Sequence, residues 1–336
     1  MVKQMVQQLN LKINTKKKLK PDTKFTFIDL FAGIGGIRLG FERAGGECVF
    51  SSEWDKFSQQ TYSANYGEVP FGDITQIDEN DIPSFNILLA GFPCQPFSQA
   101  GLKKGFDDTR GTLFFDIVRI VKHHKPEVVF LENVKNLVGH NKGNTFKVIT
   151  NTLRELGYTV YHQVLNAKDF GVPQNRARIY IICFKNDVKF EFPTPPMIET
   201  KLGDILEKNV DDKYTISDKL WDGHQRRKIM HREKGNGFGY SIFDENSKYT
   251  STISARYYKD GSEILIKQEN KNPRKITPRE AARLQGYPED YKIPVSDNQA
   301  YKQFGNSVAV PVITTLAKTI IETLEKNNLL QKLNEN

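Results

Sequence analysis

An apolar run, Phe25-Thr26-Phe27-Ile28-Asp29-Leu30-Phe31, gives way at once to Ala32-Gly33-Ile34-Gly35-Gly36, and a segment with Ile37, Leu39 and Phe41 follows. Strand, glycine loop and helix in that order commit the chain to an α/β fold. The glycines let a ligand approach the backbone closely, and the helix offers it a positive end. Glycines so arranged are a weak signal alone. The next apolar run, Cys48-Val49-Phe50-Ser51-Ser52-Glu53, strengthens it, because it ends in a carboxylate twenty residues beyond Gly33. Doubly wound folds place there the group that holds ribose hydroxyls. Glu53 is either that group or a surface carboxylate, and the glycine loop favours the ligand role. Trp54 beside it covers a ligand face or packs.

The strand–helix rhythm continues. Gly72-Asp73-Ile74 lies just past a possible third strand, where Asp73 is a turn residue or an acceptor for an exocyclic amine. Asn86 to Ala90 reads as a buried strand that leaves the sheet through Gly91-Phe92-Pro93-Cys94-Gln95-Pro96-Phe97-Ser98. Glycine and two prolines make this loop stiff. A structural cysteine belongs inside the apolar run, whereas Cys94 sits past its end, where open α/β sheets bind ligands. It is a candidate nucleophile. Leu102 to Arg110 reads as a mobile loop, and Gly111-Thr112-Leu113-Phe114-Phe115 opens a helix. Pro126 to Leu131 is another buried strand, ending in Glu132-Asn133-Val134. A carboxylate there is costly unless paired or used. Thr159 to Val164 and Ala177 to Phe184 are further strands; Arg176 and Arg178 share one strand face, as a solvated edge or a carboxylate-steering pair.

Composition narrows the class. With 38% hydrophobic residues among 336, a core can form. No apolar run reads as long enough to cross a bilayer, and the N-terminus lacks the apolar core of a secretory signal. The cytoplasm is the default compartment. Cys48, Cys94 and Cys183 are too scattered to suggest a disulfide framework or a zinc site. Net charge +8 favours an acidic partner, of which nucleic acid is the commonest large one.

Four regions are expected. Residues 1–23, with Lys16-Lys17-Lys18, form a polar basic extension. Residues 24–192 carry the strand–helix rhythm, the glycine loop and Cys94. After Phe192 prolines cluster and the rhythm fades, so 193–275 is read as a second, smaller domain of short strands. Residues 276–336 return to the first domain, ending in a long amphipathic helix from Val308 to Leu329.

Seven stretches stand together in order: Phe31 to Gly36, Glu53-Trp54-Asp55, Gly72-Asp73-Ile74, Gly91 to Pro96, Glu132-Asn133-Val134, Gln174-Asn175-Arg176-Ala177-Arg178 and Gln303-Phe304-Gly305-Asn306-Ser307. On these motifs, spread over residues 25 to 320, the chain resembles the DNA (cytosine-5)-methyltransferases of bacterial restriction-modification systems. The resemblance implies a doubly wound mixed α/β sheet of the S-adenosylmethionine-dependent methyltransferase type, with a smaller DNA-recognition domain. It implies Cys94, Glu132, Arg178 and Arg176 as the catalytic set, with Arg176 holding the loop or a phosphate. S-adenosyl-L-methionine would lie on Phe31, Gly33, Gly35, Gly36, Glu53, Trp54, Asp73, Pro93, Leu113 and Asn306, with no metal. Double-stranded DNA would meet Ser98, Asn236, Phe238, Thr252, Arg256 and Lys259, with the loop from Ser98 to Arg110 as lid over a flipped base. Family members with similar 234–240 and 251–261 segments methylate the inner cytosine of CCGG- or CCNGG-type sites. A monomer is expected, working alongside a cognate endonuclease without binding it.

Three other classes fit less well. A nicotinamide-linked oxidoreductase leaves the Cys94 loop and Glu132 unexplained. A transfer-RNA-methylating relative shares the core but not the developed 193–273 segment. A catalytically silent DNA-binding protein has no need of Cys94, Glu132 and Arg178 together.

Overall fold

A computed structural model describes residues 19–93, 113–237 and 239–332. The elements in order are β1 Phe25–Leu30, α1 Gly36–Glu42, β2 Gly46–Ser52, α2 Lys56–Tyr66, β3 Ile87–Gly91, α3 Leu113–His124, β4 Val128–Val134, α4 Asn144–Glu155, β5 Thr159–Asn166 and β6 Ala177–Phe184. Then come α5 Asp218–Glu233, β7 Ile242–Phe243, α6 Tyr257–Asp260, β8 Leu265–Ile266, β9 Arg274–Lys275, α7 Pro278–Leu284, α8 Asp297–Asn306, α9 Val310–Lys326 and α10 Leu329–Lys332.

The main sheet has six strands in the order β2-β1-β3-β4-β6-β5. Neighbours are parallel from β2 to β4, while β6 runs antiparallel to both β4 and β5, so the sheet is mixed. The chain starts at β1, steps to β2 on one side, then returns to β3 on the other. That reversal opens a crevice beyond the carboxyl ends of β1 and β3.

Period-two alternation sorts the strands' side chains between two cores. Phe25, Phe27, Ile87, Leu89, Val128, Phe130, Tyr180 and Ile182 pack in the cluster that holds α9. Ile28, Leu30, Leu88, Ala90, Val129, Leu131, Ile179 and Ile181 pack in the cluster that holds α3 and α4. Glu132 and Arg178 continue the first register, so they stand on the α9 face, at the edge where the strands end.

The 297–326 segment, α8 and α9 together, is long and apolar enough to cross a membrane by length and composition, contrary to the expectation that no run is. Its apolar side chains are spent on the core instead. Val310, Val312, Ile313, Leu316, Ala317, Ile320, Ile321 and Leu324 are buried. Gly40 of α1 faces the Ile313 side chain of α9 so closely that an added Cβ would overlap it.

Two further expectations need correcting. In place of the expected strand before Gly72 there is only an isolated bridge, Phe71 to Ser52. The 193–275 region is not built of short strands alone. It contains the sixteen-residue helix α5, capped by the Ser217 side chain, which accepts from the Leu220 N–H. The small sheet β7-β8-β9 has two-residue strands. Its apolar cluster joins Leu202, Ile253, Tyr257 and Ile264 to Leu284, Tyr287, Tyr301 and Phe304, drawing on both sides of residue 275.

Candidate active site

A cavity of about 1430 Å³ lies along the carboxyl edge of the main sheet. The β1–α1 turn forms its floor. Phe31 and Gly33 both take positive φ, 56° and 54°, which turns the chain back toward α1. Phe31, Gly33 and Gly36 line the cavity; Gly35 does not. Gly35 stands behind that lining: at φ 78° it caps α1, and its carbonyl accepts from the Tyr66 hydroxyl at 2.7 Å.

Glu53, just past β2, is buried and fixed. One carboxylate oxygen accepts from the Gly33 N–H at 2.7 Å, the other from the Asp55 N–H at 2.8 Å. Burial raises its pKa, opposed by those two N–H groups. Trp54 is 80% exposed and borders the cavity, so it does not pack in the core. Asp73 also borders it; one oxygen accepts from the Thr75 N–H at 3.0 Å, leaving the other for a ligand. Pro93, Leu113 and Asn306 complete the expected cofactor wall.

The second half of the cavity holds an ion pair. Arg178 Nε lies 3.2 Å from Glu132 Oε1. The antiparallel register sets Glu132 opposite Tyr180 and Val134 opposite Arg178, so Glu132 and Arg178 are diagonal neighbours on one face. Burial pushes the Glu132 pKa up, against the pull of Arg178 and Arg176. Gly91 pairs with Glu132 across β3 and β4, and a Cβ there would stand 3.6 Å from the carboxylate and 3.3 Å from Ile37. The residue before the proline-bounded loop thus leaves room for the acid. Asn133 ties the two strand ends together: its amide donates to the Phe92 carbonyl at 2.8 Å.

Arg176 does not share the role of Arg178. It precedes β6, is buried, and donates to the carbonyls of Ile253 at 3.0 Å, Gly305 at 3.0 Å and Ser307 at 2.5 Å. Burial pushes its pKa down to about 9. Phosphate binding by Arg176 is ruled out by this geometry, since both terminal nitrogens are engaged with backbone. Gln174 works beside it, accepting from the Ile253 N–H and donating to the Leu284 carbonyl. Together they fasten 250–253 and 305–307 to the sheet.

Of the expected DNA contacts, Thr252 lines the cavity and donates to the Asn175 carbonyl at 2.6 Å. Arg256, Lys259 and Asn236 are exposed on the small domain, outside the cavity wall. Cys94, Ser98 and Phe238, with the lid from Ser98 to Arg110, lie outside the described residues. Sequence reasoning missed Gln299 and Lys302 and gave no role to Gln303, all of which line the cavity with Asn306. Their three- and four-residue spacing on α8 was the available signal.

Comparison with known proteins shows the family. The family model described as C-5 cytosine-specific DNA methylase matches residues 25–322. The Type II methyltransferase M.SsoII of Shigella sonnei is 67% identical over 308 residues, covering 90% of this chain and 81% of that protein. The Type II methyltransferase M1.ScrFI of Lactococcus lactis subsp. cremoris is 63% identical over 310 residues, covering 90% and 80%. Among solved structures, the Entamoeba histolytica methyltransferase EhMeth superposes with TM-score 0.73 at 23% identity, over 91% of this chain and 99% of that one, a likeness of fold.

Proposed function

The chain belongs to the C-5 cytosine-specific DNA methylase family and is a bacterial Type II DNA (cytosine-5)-methyltransferase using S-adenosylmethionine, and from that premise we propose how its residues perform the reaction. The observation that carries the proposal is the Glu132–Arg178 pair, facing the same cavity as Gly33, Glu53, Asp73 and Asn306.

The cofactor half fits a nucleoside. Glu53 is held rigid by two N–H groups and keeps lone pairs for a ribose diol; Asp73 keeps an oxygen for the adenine amine; Phe31 and Trp54 offer ring faces to adenine and sulfonium. Bound there, S-adenosylmethionine supplies an electrophilic methyl group.

The chemistry follows from cytosine. Carbon 5 is too weak a nucleophile unaided. Cys94, as thiolate, adds to carbon 6, and the electron pair moves toward N3. Glu132, in its acid form, gives N3 a proton or a hydrogen bond. Burial raises its pKa, which favours that form. Arg178 orients Glu132 and meets the base carbonyl. Carbon 5, now part of an enamine, takes the methyl group, while the electron pair of the broken carbon–sulfur bond stays on sulfur, leaving neutral S-adenosyl-L-homocysteine. Loss of the carbon 5 proton then lets the thiolate leave, yielding 5-methylcytosine. The other cysteines support this choice: Cys48 and Cys183 are buried, and burial pushes the Cys48 thiol up to about 12 and Cys183 still higher.

Duplex DNA hides carbon 5 in the stack, so the target nucleotide is flipped out, at a cost of a few kcal/mol. We assign 193–275 to target recognition, with Ser98, Asn236, Phe238, Thr252, Arg256 and Lys259 at the DNA. The site is a short palindrome of CCGG or CCNGG type, methylated at its inner cytosine. The protein acts as a monomer in the bacterial cytoplasm and protects DNA against an endonuclease it does not bind. Bisulfite sequencing of DNA from cells expressing the chain tests this reading. Methylation confined to GCGC or GGCC contexts would defeat the assigned site and leave the enzyme class standing.

A further inference from the structure

Three of the five residues in the loop Ala32-Gly33-Ile34-Gly35-Gly36 are glycine. A peptide beside glycine turns over easily, because no Cβ opposes either orientation. One orientation presents its N–H to the cavity and the other its carbonyl. What fixes the orientation here lies outside the loop.

Two consecutive carbonyls are held by tyrosine hydroxyls from distant parts of the chain. Tyr66, the last residue of α2, donates to the Gly35 carbonyl, which also accepts from the Leu39 N–H at 2.9 Å. Tyr291, buried in the turn between α7 and α8, donates to the Ile34 carbonyl. Ile34 and Gly36 line the cavity, whereas neither tyrosine does. Both hydroxyls therefore act from behind the wall.

The segments that carry the two tyrosines are fastened to each other. The Asn65 side chain accepts from the Lys292 N–H at 2.8 Å and donates to the Lys292 carbonyl at 3.0 Å. Gln60 donates to the Pro294 carbonyl at 3.2 Å. The Tyr66 ring is braced in turn, with the Arg38 guanidinium 4.1 Å from its centroid and the Tyr62 ring at 4.6 Å. A Cβ on Gly35 would stand 2.3 Å from that ring, so ring and loop touch as well as bond. α2 and the 285–294 turn thus form one bracket around the back of the loop.

A buried tyrosine often finds a carbonyl for its hydroxyl. Tyr158 does so at Pro126, at 2.7 Å, just before β4 and far from the cavity. The bracket differs because two separate segments hold adjacent peptides of one ligand-facing loop.

We propose that Tyr66 and Tyr291 are positioning residues for S-adenosylmethionine, locking the Ile34–Gly35 and Gly35–Gly36 peptides with their carbonyls turned from the cavity. The proposal rests on the reading that this loop holds S-adenosylmethionine. Without a hydroxyl the empty loop spreads over flipped orientations, and the apparent dissociation constant rises by the inverse of the competent fraction. Once the cofactor is bound, Glu132 and Arg178 are unchanged, so the loss falls on KM and not on kcat.

The test compares Tyr66→Phe, Tyr291→Phe and the double variant with wild type in the full chain. Calorimetric titration with S-adenosyl-L-homocysteine gives affinity, and steady-state kinetics give KM for S-adenosylmethionine. Each single variant should bind about three- to tenfold more weakly, and the double variant about ten- to hundredfold. KM should rise in step while kcat stays within about twofold. Tyr158→Phe is the control: it loses an equal hydrogen bond, should lower the unfolding midpoint as far, and should leave affinity and KM unchanged. Tyr66→Phe and Tyr291→Phe proteins that bind as wild type overturn the proposal. So does equal weakening in Tyr158→Phe, or a fall in kcat at constant KM. Glu53→Gln separates the proposal from the reading beneath it. If Glu53→Gln binds as wild type, the cofactor assignment fails and the proposal with it. If Glu53→Gln weakens binding while the tyrosine variants do not, the assignment stands and the bracket alone fails.

Discussion

Replacing Arg176 by lysine separates positioning from chemistry. The arginine makes three hydrogen bonds to the carbonyls of Ile253, Gly305 and Ser307, all from a buried, charged donor. Such bonds contribute about 1.5–3 kcal/mol each. A lysine keeps the charge but cannot span three carbonyls with a planar fork. If it reaches one of them, the loss is about 3–6 kcal/mol, a large share of the roughly 5–15 kcal/mol that holds a domain folded. Urea unfolding with linear extrapolation measures it. Arg178→Lys is the contrast. Arg178 makes one ion pair and one bond to its neighbour's carbonyl. Its replacement keeps the positive charge beside Glu132, so it is expected to cost no more than one such bond, about 1.5–3 kcal/mol, and to cut kcat at least about tenfold. An Arg176→Lys enzyme as stable as wild type, but losing kcat as Arg178→Lys does, would refute the division between the two arginines.

Three further outcomes are expected. Glu132→Gln loses kcat about a hundredfold or more while DNA affinity stays within about threefold; a rate within about threefold of wild type removes its role as acid. Asp29 is buried, and burial raises its pKa to about 8 against the pull of Arg38. The folded state therefore binds a proton that the unfolded state releases, and stability falls as pH rises from about 4 to about 8, by about 1.4 kcal/mol per unit. Asp29→Asn should gain on wild type across that window by thermal and urea unfolding, and a constant difference contradicts this. Arg256→Ala should cost about 1–3 kcal/mol at one guanine and relax specificity there, whereas uniform weakening on all duplexes marks a phosphate contact.

Much of the site was legible because strands end where apolar alternation ends. Gly91, Glu132 and Arg178 each stand at such an end, and the β4–β6 register does the rest. The glycine loop and Glu53 were legible for the same reason, although only the folded turn shows Gly35 behind the wall. Helix α5 escaped because it has no apolar stripe. His224 is its only buried side chain, with Gly223 in its middle and Ile229 and Met230 exposed. The work of Arg176 was hidden by distance, since its acceptors lie 77, 129 and 131 residues along the chain. Local spacing could show only that it alternates with Arg178.

The proposed mechanism turns on Cys94 as the covalent nucleophile. A duplex carrying 5-fluorocytosine at the target position tests this most directly, because fluorine cannot leave carbon 5 as the proton does. With S-adenosylmethionine present, the wild-type chain should form a denaturant-stable adduct that peptide mapping places on Cys94. Cys94→Ser should form none while binding S-adenosylmethionine as wild type does. An adduct on another residue, or one formed by Cys94→Ser at the wild-type rate, contradicts the mechanism.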